Sequence, residues 1–242
     1  MQLERRIAKS EIEVRENPTG GITIRGHAAV FNSLSQNLGG FVERIQPGAF
    51  RQTISSGGDV VALFNHDSNF PLGRLSAGTL RLSEDARGLA YEIDLPNTSY
   101  ARDLAESMQR GDVRHSSFAW SGTQDEWGYT DEGFPLRTVS TIRSLQDVSP
   151  VVNPAYLDTD SAVLGGQCAL KSLAESRSML LEDVMRLAAA NELGQIISPA
   201  SNEERSEESE ESEERSEPGE THSALAIYRR RLELIELESP GI

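Results

Sequence analysis

Short apolar runs separated by glycine and proline extend over the first 165 residues of this 242-residue chain, and they limit what it can fold into. Residues 22–25 and 91–95 alternate between apolar and polar side chains, as half-buried β-strands do. Residues 60–64 are apolar throughout, which is typical of a buried strand. We therefore expect residues 1–165 to form a mainly β domain, an antiparallel barrel or sandwich with a few helices packed around it.

Other segments of this domain also predict strands. Residues 80–82 alternate, and a turn at residues 84–88 separates them from residues 91–95, so an antiparallel hairpin is expected there. Residues 138–143 and 148–152 predict two further strands.

One helix is predicted within the β domain. Asn97 or Thr98 can cap its first turn by accepting backbone N–H groups, and Gly111 suits its C-terminal end. A second short helix is expected to begin near residues 47–50. The buried face of the first helix is predicted from apolar residues at helical spacing, namely Ala101, Leu104, Ala105 and Met108.

The chain after residue 165 divides into three segments by composition. Residues 166–197 predict a helical extension, since apolar residues recur at helical spacing. Residues 198–221 predict an acidic, disordered linker, because a segment rich in glutamate and serine buries too little apolar surface to offset its loss of entropy. Residues 222–242 predict an amphipathic helix that docks onto a partner. The apolar positions are Leu173, Leu180, Val184 and Leu187 in the extension, and Leu225, Tyr228, Leu232 and Ile235 in the terminal helix.

The net charge of −15 is unevenly distributed and argues against nucleic acid as a partner. Residues 203–220 hold ten glutamates and two arginines, and so contribute −8 of it. Residues 1–6 lack the apolar stretch of a signal peptide, and no segment is long and apolar enough to suggest a membrane span. Together with a lone cysteine, Cys168, these features predict a soluble intracellular protein.

No sequence motif for a metal or cofactor stands out, so neither is expected. The four histidines are scattered without the paired spacing of a zinc site. The glycine pairs lie in predicted turns, and no glycine-rich phosphate loop is present.

Three residues that are far apart in the chain are candidates for a catalytic site, and they occur in the order histidine, serine, carboxylate. His66, Ser117 and Asp147 each lie in or beside a predicted strand. A serine hydroxyl is a poor nucleophile until a base within hydrogen-bond reach takes its proton and a third group orients that base. The pattern therefore predicts Ser117 as nucleophile, His66 as general base and Asp147 as the carboxylate that orients the imidazole.

Strand geometry favours Ser117 over the serine before it. Side chains alternate across a strand, so Ser116 shares a face with Phe118 and Trp120, whose bulk indicates the core. Ser117 is then expected to face outward, beside the small Ala119.

Alternatives stay open for the other roles. His115 shares the Ser117 face, but side chains two apart on one strand lie side by side, so it is a minor alternative base. Asp67 follows His66 directly and is expected to point to the opposite face. Backbone N–H groups, helped by an arginine such as Arg74 or Arg143, are expected to bind the negatively charged oxygen that forms when a serine attacks a carbonyl group. The carboxylates that compete with Asp147 are Glu92, Asp94 and Asp112.

Around these residues the chain resembles the prohead maturation proteases of tailed bacteriophages, which are relatives in fold of the herpesvirus assemblins. The similar segments follow the family's order and cover roughly residues 20–165. They include Phe-Asn-His-Asp at 64–67, Ser-Phe-Ala-Trp at 117–120 and Asp-Val-Ser-Pro at 147–150. The others are residues 26–32, 41–50, 71–74, 78–80, 110–113 and 151–156.

This resemblance implies a serine endopeptidase with a compact β-barrel of the herpesvirus-protease type. The family histidine falls on His66 and the family serine on Ser117. The family usually has glutamate where this chain has Asp147, so the carboxylate here is one methylene shorter. The implied partners are the major capsid protein and its scaffold segment, with self-association of the protease. The implied location is the assembling procapsid in the host bacterial cytoplasm.

A rival function is that of a non-enzymatic scaffolding or capsid-assembly protein. The acidic linker and the terminal helix would suit that role, because they offer a docking element on a flexible tether.

Overall fold

The computed structural model describes residues 3–8, 12–18, 20–152 and 160–197, and in them strands hold more residues than helices. The larger sheet contains β1 (Glu4–Ala8), β4 (Val42–Ile45), β5 (Val61–Phe64), β6 (Asp67–Arg74), β9 (His115–Tyr129) and β10 (Pro135–Val151). The smaller sheet contains β2 (Glu13–Glu16), β3 (Ile22–Val30), β7 (Leu80–Glu84) and β8 (Gly88–Asp94). The helices are α1 (Arg51–Ser55), α2 (Ser99–Gln109), α3 (Asp160–Ser176) and α4 (Leu181–Ala189), and a 3₁₀ turn follows at Leu193–Gln195.

Side chains from both sheets form the main core, so the mainly β prediction is confirmed. The larger sheet has the order β1-β9-β10-β5-β6 with β4 also beside β10, and the smaller has the order β2-β3-β8-β7. No pairing among the described strands closes a barrel, and the barrel stays a prediction. The expectation of a wholly antiparallel arrangement is wrong, because β4 and β5 pair with β10 in parallel. Parallel neighbours need crossover connections, and both strands lie far from β10 along the chain.

The two strands predicted at residues 138–143 and 148–152 are parts of one strand, β10, which pairs antiparallel with β9 along its length. The register shifts between Val139 and Thr141 and again between Leu145 and Asp147. A bulge inserts an extra residue into one strand and breaks the alternation of side chains. The sequence therefore suggests two strands where the backbone makes one.

The predicted hairpin and both short helices are found. β7 and β8 pair antiparallel, and α1 begins just after residues 47–50. α2 buries its four predicted apolar residues and is followed by Gly111, whose φ of 83° only glycine adopts without strain. The predicted side-chain cap is wrong: Thr98 occupies the cap position, but its hydroxyl has no hydrogen-bond partner among the described residues. Asn97 instead accepts a hydrogen bond from Arg102.

The helical extension is interrupted rather than continuous. Ser178 has a φ of 54°, a left-handed conformation that ends a helix, and it separates α3 from α4. Leu180 lies in this break and is 70% exposed, so its prediction as part of the apolar face is wrong. Leu173 and Val184 are fully buried and pack in one cluster with Phe41. The predicted linker (198–221) and terminal helix (222–242) lie outside the described residues.

None of the helices in the described part of the chain is long and apolar enough to cross a membrane.

A network of buried charges joins four strands of the larger sheet. Arg137 of β10 is fully buried and bonds Glu4 of β1 at 2.7 Å and Glu43 of β4 at 2.8 Å. It also bonds Asp125 of β9, and Arg6 of β1 bonds both glutamates. Burial alone would raise the pKa of the Glu43 carboxyl, but the guanidinium groups of Arg6 and Arg137 outweigh it and hold the pKa below its usual value.

Replacing Arg137 by methionine should destabilise the fold by about 3–5 kcal/mol, because it removes the cation that Glu4, Glu43 and Asp125 share in the buried network. Urea unfolding monitored by tryptophan fluorescence gives the free energy of unfolding. The matched control is Arg81→Met, since Arg81 also bonds two carboxylates, Glu92 and Asp94, but is about half exposed. The control should cost at most about 1 kcal/mol. Equal losses in the two variants would contradict the special role of the buried network.

The lowered pKa of Glu43 also predicts how stability depends on pH. A carboxyl whose folded pKa is depressed stabilises the fold fully above its ordinary value of 4.5, and loses that contribution as the pH falls through the folded pKa. The difference in unfolding free energy between the unmodified protein and Glu43→Gln should therefore be constant at neutral pH and shrink below pH 4.5. Urea titrations from pH 7 to pH 3 measure it, and a difference that grows on acidification would contradict the assignment.

Candidate active site

Three neighbouring elements of the larger sheet position the candidate site. Ser117 of β9 lies directly opposite Ser149 of β10, and Asp147 stands two residues before Ser149 on that strand. β5 pairs with β10 on its other side, with Val61 beside Asp147. The chain leaving β5 therefore reaches His66 close to the segment that carries Asp147.

His66 lies in a tight turn rather than at a strand end. Phe64 pairs with Asp67, so Asn65 and His66 form a two-residue hairpin loop, with φ values of 54° and 58°. Turns with two positive φ values suit the twist of a hairpin, and Asn and His tolerate this conformation better than most residues. Strained backbone of this kind is often found at functional sites.

Asn65 ties this turn to the end of β10. Its backbone N–H donates to the carbonyl of Pro150 at 3.0 Å, and its side-chain oxygen accepts the N–H of Val152 at 3.0 Å. Both contacts lie a few residues beyond Asp147. They fix the turn beside the carboxylate that His66 meets.

The bulge in β10 determines which way Asp147 points. The register with β9 shifts by one residue between Leu145 and Asp147, so that Leu145 and Val148 are both buried in the main core. Asp147 is thereby turned to the face that Ser117 shares.

The three predicted side chains form a continuous hydrogen-bonded series. His66 Nδ1 lies 2.5 Å from Asp147 Oδ1, and His66 Nε2 lies 2.6 Å from Ser117 Oγ. The imidazole and the carboxylate are each 9% exposed, so water competes little for these contacts. Such a series can take a proton from the hydroxyl and balance the charge of the imidazolium that forms.

The carboxylate has a further partner that sequence reasoning missed. Ser149 is fully buried and its hydroxyl donates to Asp147 Oδ1 at 2.8 Å, the oxygen that also faces His66. The available signal was the spacing of two along the strand, which places Ser149 on the Asp147 face.

The two adjacent serines have different surroundings. Ser116 lies inward, as expected, with its hydroxyl 2.8 Å from the Tyr91 hydroxyl, and Phe118 and Trp120 are buried on the same face. The expectation that Ser117 faces outward is wrong in one respect: the residue is 1% exposed. β1 pairs along the free edge of β9, and sequence reasoning did not predict that strand.

The competing carboxylates have other partners. Asp67 accepts hydrogen bonds from the backbone and side chain of Asn69. Glu92 and Asp94 both pair with Arg81, and Asp112 pairs with Arg110.

The two arginines considered as oxyanion donors are directed elsewhere. Arg74 bonds Asp59 at 2.5 Å at the far end of β6 from His66. Arg143 is exposed and precedes Asp147 by four residues, about 13 Å along a strand. His115 begins β9 opposite Val151, while the hydroxyl of Ser117 meets the imidazole of His66.

Ser149→Ala should lower the reactivity of Ser117 about tenfold, because a hydrogen bond that holds the Asp147 carboxylate in place is lost. The measurement is the rate of Ser117 modification by a fluorophosphonate probe, followed by mass spectrometry under conditions where the variant is fully folded. Ser144→Ala, a change on the same strand at a hydroxyl that bonds Gln146, is the control and should react at the unmodified rate. Equal rates in all three proteins would contradict a positioning role for Ser149.

Comparison with known proteins shows which protein family and which solved structure this chain is similar to. The family of caudovirus prohead serine proteases matches residues 10–171, more than half of the chain, so the resemblance seen in the sequence is confirmed. Among solved structures, the capsid assembly protease of bacteriophage T4 is similar over 63% of this chain and 98% of its own, with 12% identity and a TM-score of 0.42. No curated protein matches the chain.

Proposed function

The chain belongs to the caudovirus prohead serine protease family, and on that premise we propose that it is a serine endopeptidase that cleaves scaffold and capsid-protein segments as the procapsid matures. The observation that supports this proposal most directly is the series Ser117–His66–Asp147, with contacts of 2.6 Å and 2.5 Å. A nucleophile, a base within reach and a group that orients the base are what acyl transfer by serine requires.

In the first half of the reaction, Ser117 Oγ attacks the carbonyl carbon of the scissile peptide while His66 Nε2 takes the hydroxyl proton. Asp147 accepts the hydrogen bond from Nδ1–H, which keeps the lone pair of Nε2 directed at the serine. The imidazolium then gives its proton to the departing amine as the C–N bond breaks. An acyl-enzyme on Ser117 and a free amino terminus result.

In the second half, water attacks the ester carbon of the acyl-enzyme. His66 takes a proton from that water and returns it to Ser117 Oγ as the C–O bond breaks. The carboxylate product leaves and the starting state is restored. Asp147 and Ser149 keep the imidazole in one orientation through both halves.

Backbone N–H groups are the proposed oxyanion donors. Arg74 is engaged by Asp59, and Arg143 lies too far along β10 to reach the reacting carbonyl. One such donor contributes about 3–4 kcal/mol to transition-state stabilisation, so the donors matter as much as the triad.

The proposed substrates are the major capsid protein and its scaffold segment, and the proposed place of action is the assembling procapsid in the bacterial host. We assign the peptidase activity to residues 1–165, with residues 166–197 as a helical extension. The acidic segment 198–221 and the terminal segment 222–242 would deliver the protease to the assembling shell.

Ser117→Ala should abolish cleavage of the co-expressed capsid protein, a loss of about a millionfold in rate, because no other group on the series can attack. Intact-mass analysis of the capsid protein measures the trimming. Ser116→Ala is the matched control: it removes the adjacent hydroxyl, which bonds Tyr91 instead of His66, and trimming should continue.

The outcome that contradicts the proposal is unchanged trimming by Ser117→Ala. Trimming that ends in Ser116→Ala but continues in Ser117→Ala would show that Ser116, and not Ser117, is the nucleophile. If neither the unmodified protein nor Ser116→Ala trims the capsid protein, the non-enzymatic assembly role becomes the better account.

A further inference from the structure

The N-terminal strand lies across the nucleophile. β1 pairs antiparallel with the edge of β9 that β10 leaves free, and Ile7 stands directly opposite Ser117. The hydroxyl of Ser117 lies 2.9 Å from the backbone carbonyl oxygen of Arg6, to which it can donate. With β1 in place Ser117 is 1% exposed, so a peptide substrate has no path to the hydroxyl.

The carbonyl oxygen of Arg6 and the imidazole of His66 compete for the hydroxyl hydrogen of Ser117. A serine hydroxyl has a single hydrogen to donate, and two acceptors lie within reach, His66 Nε2 at 2.6 Å and the Arg6 oxygen at 2.9 Å. When the hydrogen points to Arg6, the base cannot take it. The contact is also unproductive for cleavage of β1 itself, because the carbonyl oxygen rather than the carbon faces Ser117.

Buried charges hold β1 in this register. Glu4 bonds Arg137 at 2.7 Å and Arg6 at 3.2 Å, while Arg6 bonds Glu43 at 2.9 Å and lies over the Trp120 ring at 5.1 Å. Buried ion pairs contribute little net stability but can specify which pairing forms. A one-residue slip of β1 would turn Glu4 to the opposite face and separate it from Arg137.

We propose that β1 is an internal occupant of the substrate site, and that an extended segment of substrate pairs with the β9 edge at residues 116–120 after β1 leaves. The inference rests on the proposed function, whose nucleophile it concerns. An extended segment that adds to a strand edge gains main-chain hydrogen bonds regardless of most of its sequence. The enzyme is therefore latent until β1 opens.

Glu4→Gln tests this by loosening β1 without touching the triad. Asp125→Asn is the matched control, because Asp125 also bonds Arg137 but lies on β9 rather than on β1. Each change removes one negative charge from the same network. The readouts are the rate at which a fluorophosphonate probe modifies Ser117 and amide hydrogen exchange at residues 4–8.

Glu4→Gln should raise the labelling rate of Ser117 at least about tenfold over the unmodified protein, and exchange at residues 4–8 should accelerate in parallel. Asp125→Asn should change neither. Equal acceleration in both variants, or faster exchange with an unchanged labelling rate, would overturn the inference and leave the proposed function standing. Absence of labelling at Ser117 in every protein, even where hydrogen exchange shows that β1 has opened, would overturn the proposed function, and the inference with it.

The unmodified protein provides a second test that does not depend on how well a variant folds. In urea concentrations below the global unfolding transition, the labelling rate of Ser117 should rise together with exchange at residues 4–8, while β9 and β10 stay protected. A labelling rate that stays flat while β1 opens would overturn the inference.

Discussion

The antiparallel pairing of β9 with β10 is the constraint on which the rest of the larger sheet depends. β1 attaches to the outer edge of β9, and β4 and β5 attach to β10, so each takes its position from this pair. The register sets Ser117 opposite Ser149 and Phe118 opposite Val148. Because side chains alternate along a strand, a slip of one residue would exchange the face that carries Ser117 for the core face.

The bulge before Asp147 reconciles two demands on one strand. The core needs Leu145 and Val148 on the same side, although they are an odd number of positions apart, and the site needs Asp147 on the opposite side. Gln146 is the extra residue of the bulge and makes both positions possible, and its own side chain is exposed to solvent. The same irregularity is why the sequence pattern suggested two separate strands here.

Buried charges and left-handed backbone occur in elements that position the candidate site. Arg137 and its carboxylates are removed from water, and Asn65 and His66 adopt left-handed conformations. Neither feature favours stability by itself. Each fixes a geometry instead: the charges fix the register of β1, and the turn fixes the imidazole between Asp147 and Ser117.

Much of the fold could be predicted from local pattern. The hairpin at β7 and β8, the helix α2 with its buried face and the inward position of Phe118 and Trp120 all follow from periodicity. The cap of α2, the break at Ser178 and the parallel pairing of β4 and β5 did not follow. These depend on contacts between distant segments, which a local pattern does not contain.

The sequence by itself determined the residue types and their order: a histidine, a serine and a carboxylate, each next to a strand, with Ser117 on the face away from the aromatic residues. Only the tertiary structure decided that Asp147 rather than Glu92, Asp94 or Asp112 lies beside the imidazole, that Ser149 supports it, and that β1 covers the hydroxyl. The physical reason is that strand pairing brings together residues far apart in the chain. Glu-Arg-Arg-Ile-Ala at residues 4–8 has no alternating pattern, and it becomes a strand because β9 offers a free edge and Arg137 offers Glu4 a buried partner.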